Sequence, residues 1–256
     1  MNVTPATRAF SALAALTVLA QPTVARAAEI RVLCSGGLRA VMEELLPQFE
    51  QASHHSVIVR FAPSVVLKRQ IEAGEPFDLA ILTPPLIDDL ITQGRIAGDS
   101  RTTLARSGMA LAIRAGAARP DIRSIAGLER TLLAARSIGY VRDGAGGLYF
   151  VELLKRLDLA DALRSRITIV AATEELTMSV ARGEIELGVL PMSEILPVAG
   201  VAVLGTFPAD VQSYLINMAG VSLGASEGTA ARDLIRFLTS PAALPVIKKK
   251  GMEPGR

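Results

Sequence analysis

The chain has 256 residues, of which half are hydrophobic, with 27 Lys and Arg against 25 Asp and Glu and a single Cys. This near balance of charge argues against a nucleic-acid partner, because nucleic acids are bound by basic surfaces. The one basic run, at residues 248–250, is typical of a solvated helix end. A single Cys excludes an intramolecular disulfide, so Cys34 is predicted to be a small buried hydrophobe.

The first 27 residues have the pattern of an export signal. Arg8 precedes an apolar segment over residues 9–20, and Ala25-Arg26-Ala27 is a small-x-small cleavage pattern. The apolar segment is shorter than the roughly 20 residues that span a bilayer. We therefore expect cleavage after Ala27 and a soluble periplasmic protein, which starts at Ala28 and has equal numbers of basic and acidic residues.

Strands and helices alternate along the rest of the chain. Strands are predicted at residues 30–34, 57–61 and 78–82, and helices at 38–49, 64–73 and 86–93. A second series has strands at 109–113, 137–140, 167–170 and 187–190 and helices at 147–157 and 174–182. Strands at 201–207 and 214–220 and helices at 226–239 and 241–249 end the chain.

This order of elements predicts an α/β fold with two lobes. Consecutive strand–helix units are typical of a mostly parallel sheet flanked by helices, and each lobe is expected to contain one. The first lobe is predicted to take residues 28–110 and also 207–256, because the last elements are expected to return to it. Residues 111–206 are predicted to form the second lobe.

Four turns between a strand and a helix carry small or hydroxyl residues, two in each lobe. They are Ser35-Gly36-Gly37, Pro63-Ser64, residues 144–147 and Ala172-Thr173. Ligands bind beyond the carboxyl ends of parallel strands, and the free N–H groups of a helix N-terminus suit an anion. Such residues also serve as ordinary helix caps and turn formers. The pattern therefore favours an anion site between the lobes but leaves the plain structural interpretation open.

The sequence contains no recognisable catalytic motif. It has no phosphate-binding loop, no nucleophile elbow and no metal-ligand spacing of Cys and His. The two His residues, His54 and His55, lie in a predicted connection where exposure is the rule. Asp88 and Asp89 lie on a predicted surface helix. We therefore predict that the protein is not an enzyme and binds neither a metal nor a cofactor.

The segment FAPSVVLKRQIEAGEPFDLAI, residues 61–81, resembles the periplasmic molybdate-binding proteins of ABC transporters. Weaker similarities to the same proteins lie before and after this segment, in the same order along the chain, at residues 35–38, 139–149, 188–193 and 206–208. The resemblance implies that two crossing strands join the lobes as a hinge. It also implies an oxyanion held by neutral hydrogen bonds and a permease as partner, and we expect a monomer.

Five residues are predicted to bind the ligand. Ser64 matches a serine that donates to the oxyanion, Gly146 and Thr173 match backbone donors, and Ser35 and Gly37 belong to the first ligand turn.

Two positions depart from the family's pattern: Gly37 stands where a serine is usual, and Pro191 stands where many relatives have a ligand-contacting tyrosine. Arg142 and Asp143 also add charge beside the glycine turn. The leading hypothesis is thus a transporter-linked binding protein for molybdate or tungstate. Its alternatives are the same fold binding a small carboxylate paired with Arg142, or a ligand sensor or accessory protein.

Overall fold

The computed structural model describes Met1 and residues 27–255. The predicted export signal lies outside the described residues apart from its two ends, and its cleavage therefore stays a prediction. In the described part of the chain, no helix has the length and apolar character that a membrane crossing requires.

Ten strands and ten helices are found in the described residues. The strands are β1 (Glu29–Ser35), β2 (Ser56–Ala62), β3 (Leu79–Leu82), β4 (Thr102–Arg114), β5 (Ile138–Val141), β6 (Ile167–Val170), β7 (Leu187–Pro191), β8 (Val201–Thr206), β9 (Tyr214–Val221) and β10 (Glu253–Pro254). The helices are α1 (Arg39–Ser53), α2 (Ser64–Glu72), α3 (Pro84–Thr92), α4 (Ile125–Ala134), α5 (Ala145–Arg156), α6 (Ala160–Leu163), α7 (Thr173–Arg182), α8 (Met192–Ile195), α9 (Gly228–Leu238) and α10 (Leu244–Lys249).

The first lobe is built on the strand order β2-β1-β3-β9-β4. β1 pairs in parallel with β2 and β3, so the carboxyl ends of these strands lie at one edge of the sheet. Successive residues of β1 point to opposite faces, as a strand requires. Val32 packs in the cluster that contains α1 and α9, and Leu33 packs in the cluster that contains α2 and α3. Both faces of this sheet are therefore buried under helices.

The second lobe repeats this layering with the order β4-β7-β5-β6, and β8 also pairs with β4. β5 is parallel to β6 and β7. On one face of β4, Leu111 joins a cluster with Phe150 of α5; on the other, Ala112 joins a cluster with Leu176 of α7. The carboxyl ends of β5 and β6 thus form a second edge from which helices begin.

One strand, β4, belongs to both sheets. Its residues 102–108 pair with β9, whereas Met109 and the residues after it pair with β7 and β8. The chain returns to the first sheet through residues 207–213, between β8 and β9. This arrangement supports the division into lobes at residues 110 and 206, which we retain as a proposal together with the hinge.

The predicted two-lobed α/β fold is confirmed, with differences in detail. The pairings of β3 with β9 and of β4 with β7, β8 and β9 are antiparallel, so the parallel pairings are confined to the strand–helix units. The sequence prediction missed α4, although Ser124 caps it by accepting a hydrogen bond from the Gly127 N–H at 3.1 Å. It also recognised only residues 109–113 of β4, because polar residues such as Arg106 and Ser107 interrupt its apolar pattern.

Candidate functional site

A cleft of about 470 Å³ lies where the two sheet edges face each other. This volume is in the range of pockets that hold small organic molecules. The turns after β1 and β2 line it from the first lobe, and the turns after β5 and β6 line it from the second. Four of the five predicted site residues line this cleft, namely Ser35, Gly37, Ser64 and Thr173.

The turn after β1 has less hydrogen-bonding capacity than predicted. The Ser35 side chain is buried, and its Oγ donates to Asn217 Oδ1 at 2.7 Å. Gly37 is also buried, and a Cβ added to it would overlap the side chain of Leu215. A serine at position 37 therefore does not fit unless Leu215 moves.

Ser64 has the features of a ligand donor. It is the first residue of α2, the N-cap position belongs to Pro63, and the Ser64 side chain makes no capping hydrogen bond. The N–H groups of Val66 and Leu67 donate to the Pro63 carbonyl, so those of Ser64 and Val65 remain outside the helical pattern. The hydroxyl and two backbone donors are thus available at the cleft wall.

Arg39, the first residue of α1, is the only Lys or Arg among the described residues that line the cleft. Its guanidinium carbon lies 4.4 Å from the centre of the Phe61 ring. Its Nη2 lies 3.7 Å from Glu174 Oε1, which belongs to the second lobe. The sequence analysis missed this cation, although its position directly after the Ser35–Leu38 turn was a usable signal.

The second lobe contributes a carboxyl group, that of Glu194 in α8. Thr173 Oγ1 donates to Glu194 Oε2 at 2.9 Å. Removal from water raises the pKa of Glu194 to about 7 and the charge of Glu174 adds to the increase, whereas Thr173 and Arg39 oppose it. A carboxyl group with this pKa is able to accept or donate a proton near neutral pH.

The two lobes contact each other beside the cleft. Ser193 Oγ donates to the Gly37 carbonyl at 3.0 Å, and the Ser193 N–H donates to Ser107 Oγ at 3.0 Å. With the Arg39–Glu174 pair, these contacts place the turn after β1 directly opposite α8. These contacts join the two lobes beside the cleft.

Three residues singled out in the sequence lie elsewhere. Gly146 is buried, and a Cβ there would lie 3.1 Å from the Val189 carbonyl oxygen; Gly144 and Ala145 line the cleft in its place. Arg142 is exposed, and neither it nor the buried Pro191 is among the lining residues.

Other sequence expectations concern residues remote from the cleft. Cys34 is buried as predicted, and burial strongly raises the pKa of its thiol. His54 is exposed, whereas His55 is partly buried and its Nδ1 accepts a hydrogen bond from the Ala28 N–H at 3.1 Å.

Comparison with known proteins identifies the relatives of this chain. The sequence model of the family described as bacterial extracellular solute-binding protein matches residues 30–253. The chain is 30% identical over 251 residues to aconitate isomerase of a Pseudomonas species, covering 95% of each chain. It is 27% identical to the molybdate-binding protein ModA of Azotobacter vinelandii, covering 89% of this chain and 90% of that one. The solved structure of the Azotobacter vinelandii periplasmic molybdate-binding protein has a TM-score of 0.75 at 22% identity and covers 89% of this chain and 100% of its own.

Proposed function

Since the chain belongs to the bacterial extracellular solute-binding proteins, we propose that it binds a small organic carboxylate between its lobes. The observation that carries this proposal is Arg39, the one Lys or Arg among the described residues that line the cleft, on the same wall as the donors of Ser64. A guanidinium presents a planar fork of donors that matches a carboxylate. Phe61 and Leu215 offer apolar surface to the carbon atoms of such a ligand.

A molybdate or tungstate ligand, the leading sequence hypothesis, is less well matched to this cleft. The turn after β1 offers no hydroxyl at Gly37, and the Ser35 hydroxyl is already bonded to Asn217. The turn after β1 therefore supplies no free hydroxyl donor to an oxyanion that is held by neutral hydrogen bonds.

The relative named aconitate isomerase supports the same ligand class. Aconitate is an unsaturated tricarboxylate, and this relative covers the chain almost end to end. By contrast with Arg39, the exposed Arg142 that the sequence suggested as a carboxylate partner is outside the cleft. We therefore assign the carboxylate-binding role to Arg39.

Isomerisation of an unsaturated polycarboxylate is a second candidate function, and Glu194 is the observation that favours it. Moving a double bond in such an acid requires a group that takes a proton from one carbon and returns it to another. A carboxyl group with a pKa of about 7 suits that task. NMR of cis-aconitate mixed with the protein in D₂O would then show deuterium incorporation, absent with Glu194→Gln. No conversion at equimolar protein would leave binding as the sole function.

Export and transport are part of the proposal. We propose that the chain is cleaved after Ala27, acts as a monomer in the periplasm and delivers its ligand to an ABC-transporter permease; the family's extracellular character supports this. Mass spectrometry of the periplasmic fraction should give a chain that starts at Ala28. Recovery of a chain that still begins at Met1 from that fraction would contradict the export signal.

Isothermal titration of the purified protein tests the ligand class. The panel should contain trans-aconitate, citrate, fumarate, molybdate, tungstate and sulfate at pH 7. We expect at least one carboxylate to bind at least about tenfold more tightly than every tetrahedral oxyanion, a difference of about 1.4 kcal/mol. Tight binding of molybdate together with no carboxylate binding would overturn the proposal.

A further inference from the structure

The side chain of Glu194 has a separate environment for each of its two oxygens. Oε2 accepts the hydrogen bond from Thr173 Oγ1 at 2.9 Å. Oε1 lies 3.5 Å from the point where a Cβ on Gly37 would stand, so it faces the turn of the first lobe at a position that has no side chain of its own. One oxygen is therefore anchored within the second lobe, and the other lies against the Gly37 turn of the first lobe, in a residue that lines the cleft.

The charges around Glu194 provide no counterion for an ionised carboxylate. From α1, Arg39 faces it but lies within ion-pair distance of Glu174. From α7, Glu174 itself adds repulsion, and Asp143 and Glu43 also line the cleft. Among the described residues, no Lys, Arg or His nitrogen lies within 4.0 Å of a Glu194 oxygen, whereas Arg39 lies within that distance of Glu174. A carboxyl group removed from water without a cation favours its neutral form.

We propose that Glu194 determines the specificity of the site by entering the complex as a neutral acid and donating a hydrogen bond from Oε1 to a ligand carboxylate. The inference rests on the proposed carboxylate ligand. Because Oε2 accepts from Thr173, the acidic proton resides on Oε1, the oxygen that faces the first lobe. The ligand is then held by Arg39 and Ser64 on one wall and by this acid on the other.

A neutral Glu194 makes ligand binding dependent on pH. The ionised form presents a negative oxygen to the ligand, so binding requires the proton to be present. Removal from water raises the pKa of this carboxyl to about 7 in the free protein. Affinity is then highest below pH 7 and falls above it, by about tenfold from pH 6 to pH 8 for one required proton. Near pH 7, binding takes up about half a proton for each ligand.

Titration of trans-aconitate into the full mature protein and into its Glu194→Gln variant tests this inference. The amide of Gln has the shape of a neutral acid and keeps a donor at all pH values, so the variant should bind about tenfold more tightly than the parent at pH 8. Its affinity should change with pH only as the ligand's own carboxyl groups titrate. Titration in two buffers of different ionisation enthalpy should show proton uptake by the parent that the variant lacks. Glu43→Gln, which alters another acid of the same cleft, should keep the pH dependence of the parent.

The possible outcomes separate this inference from the proposed function. If parent and Glu194→Gln bind trans-aconitate with the same pH profile and proton uptake, Glu194 is not the proton-bearing donor, although the carboxylate site stands. If Glu194→Gln no longer binds at pH 6 while its thermal unfolding matches the parent's, the inference is also wrong. If neither protein binds any carboxylate, the proposed function fails and the inference fails with it.

Discussion

The two walls of the cleft have the same backbone design but different side chains. Each wall includes two turns in which a parallel strand ends and a helix begins. The wall of the first lobe adds the donors of Ser64, the cation Arg39 and the acid Glu43, whereas the wall of the second lobe adds the acids Asp143, Glu174 and Glu194 and no cation among the described residues. Backbone N–H groups at helix N-termini suit any anion. The side chains of the two walls must therefore determine which anion is bound.

The largest expected effect follows from removing the cation of the first wall. Arg39→Gln should weaken binding of a carboxylate by about 30- to 150-fold, because a charge-assisted hydrogen bond contributes about 2–3 kcal/mol. Titration calorimetry at pH 6.5 measures this loss. Arg142→Gln is the matched control, because Arg142 is exposed beside the cleft without lining it. Equal losses of affinity in the two variants would show that binding depends on the net charge of the protein and not on a contact with Arg39.

A hydroxyl added to the turn after β1 tests why this wall differs from that of a molybdate binder. Gly37→Ser should destabilise the protein by about 2 kcal/mol, since its Cβ overlaps the Leu215 side chain in a packed region. In a Leu215→Ala background the same substitution should cost much less. A double-mutant cycle of urea unfolding measures this coupling. Additive losses would mean that Leu215 does not exclude a serine.

Ser64 is expected to act on affinity rather than on stability. Ser64→Ala should weaken ligand binding by about tenfold, or about 1.4 kcal/mol, with little change in melting temperature, because Ser64 caps no helix. Ser124→Ala is the opposite case. Ser124 caps α4, so its replacement should cost about 1 kcal/mol of stability and leave affinity unchanged. Calorimetry and thermal unfolding of both variants check this reversal.

The acid of the second wall should also affect stability, with a smaller effect. Removal from water raises the pKa of Glu194 to about 7 from its ordinary value of about 4.5, so the folded state retains this proton to higher pH than the unfolded state does. The parent should therefore lose stability as the pH rises from about 4.5 to about 7, relative to Glu194→Gln. We expect a difference of about 1 kcal/mol between pH 5 and pH 8, since the side chain opens partly to the cleft. If the free energies of unfolding of the parent and of Glu194→Gln change with pH in the same way from pH 5 to pH 8, the raised pKa of Glu194 is contradicted.

The first wall was easier to predict from the sequence than the second. The turns with Ser35, Gly37 and Ser64 in the first wall follow from strand and helix periodicity, because the ends of parallel strands meet at one edge; in the second wall only the turn with Thr173 was placed in this way. Gly146 was predicted to precede the helix, but it is the second residue of α5 and packs against β7 instead of lining the cleft. Donor turns are local features, and their prediction is limited mainly by uncertainty in the helix start.

Glu194 could not be found in this way. Its position beside Gly37 depends on how α8 of the second lobe meets the turn after β1, which is a contact between residues far apart in sequence. No local period or motif encodes that approach. The prediction that the protein is not an enzyme rested on local motifs, and a single carboxyl group brought into a cleft by lobe packing leaves no such motif.

A crystal structure of the mature protein with trans-aconitate at pH 6.5 tests the central claim most directly. We expect one ligand carboxylate within hydrogen-bond distance of the Arg39 guanidinium and Ser64 Oγ. A second ligand oxygen should lie about 2.5–3.0 Å from Glu194 Oε1, as an O–H···O hydrogen bond requires. A ligand bound in the cleft with Arg39 turned away and no oxygen near Glu194 would contradict the account of the two walls.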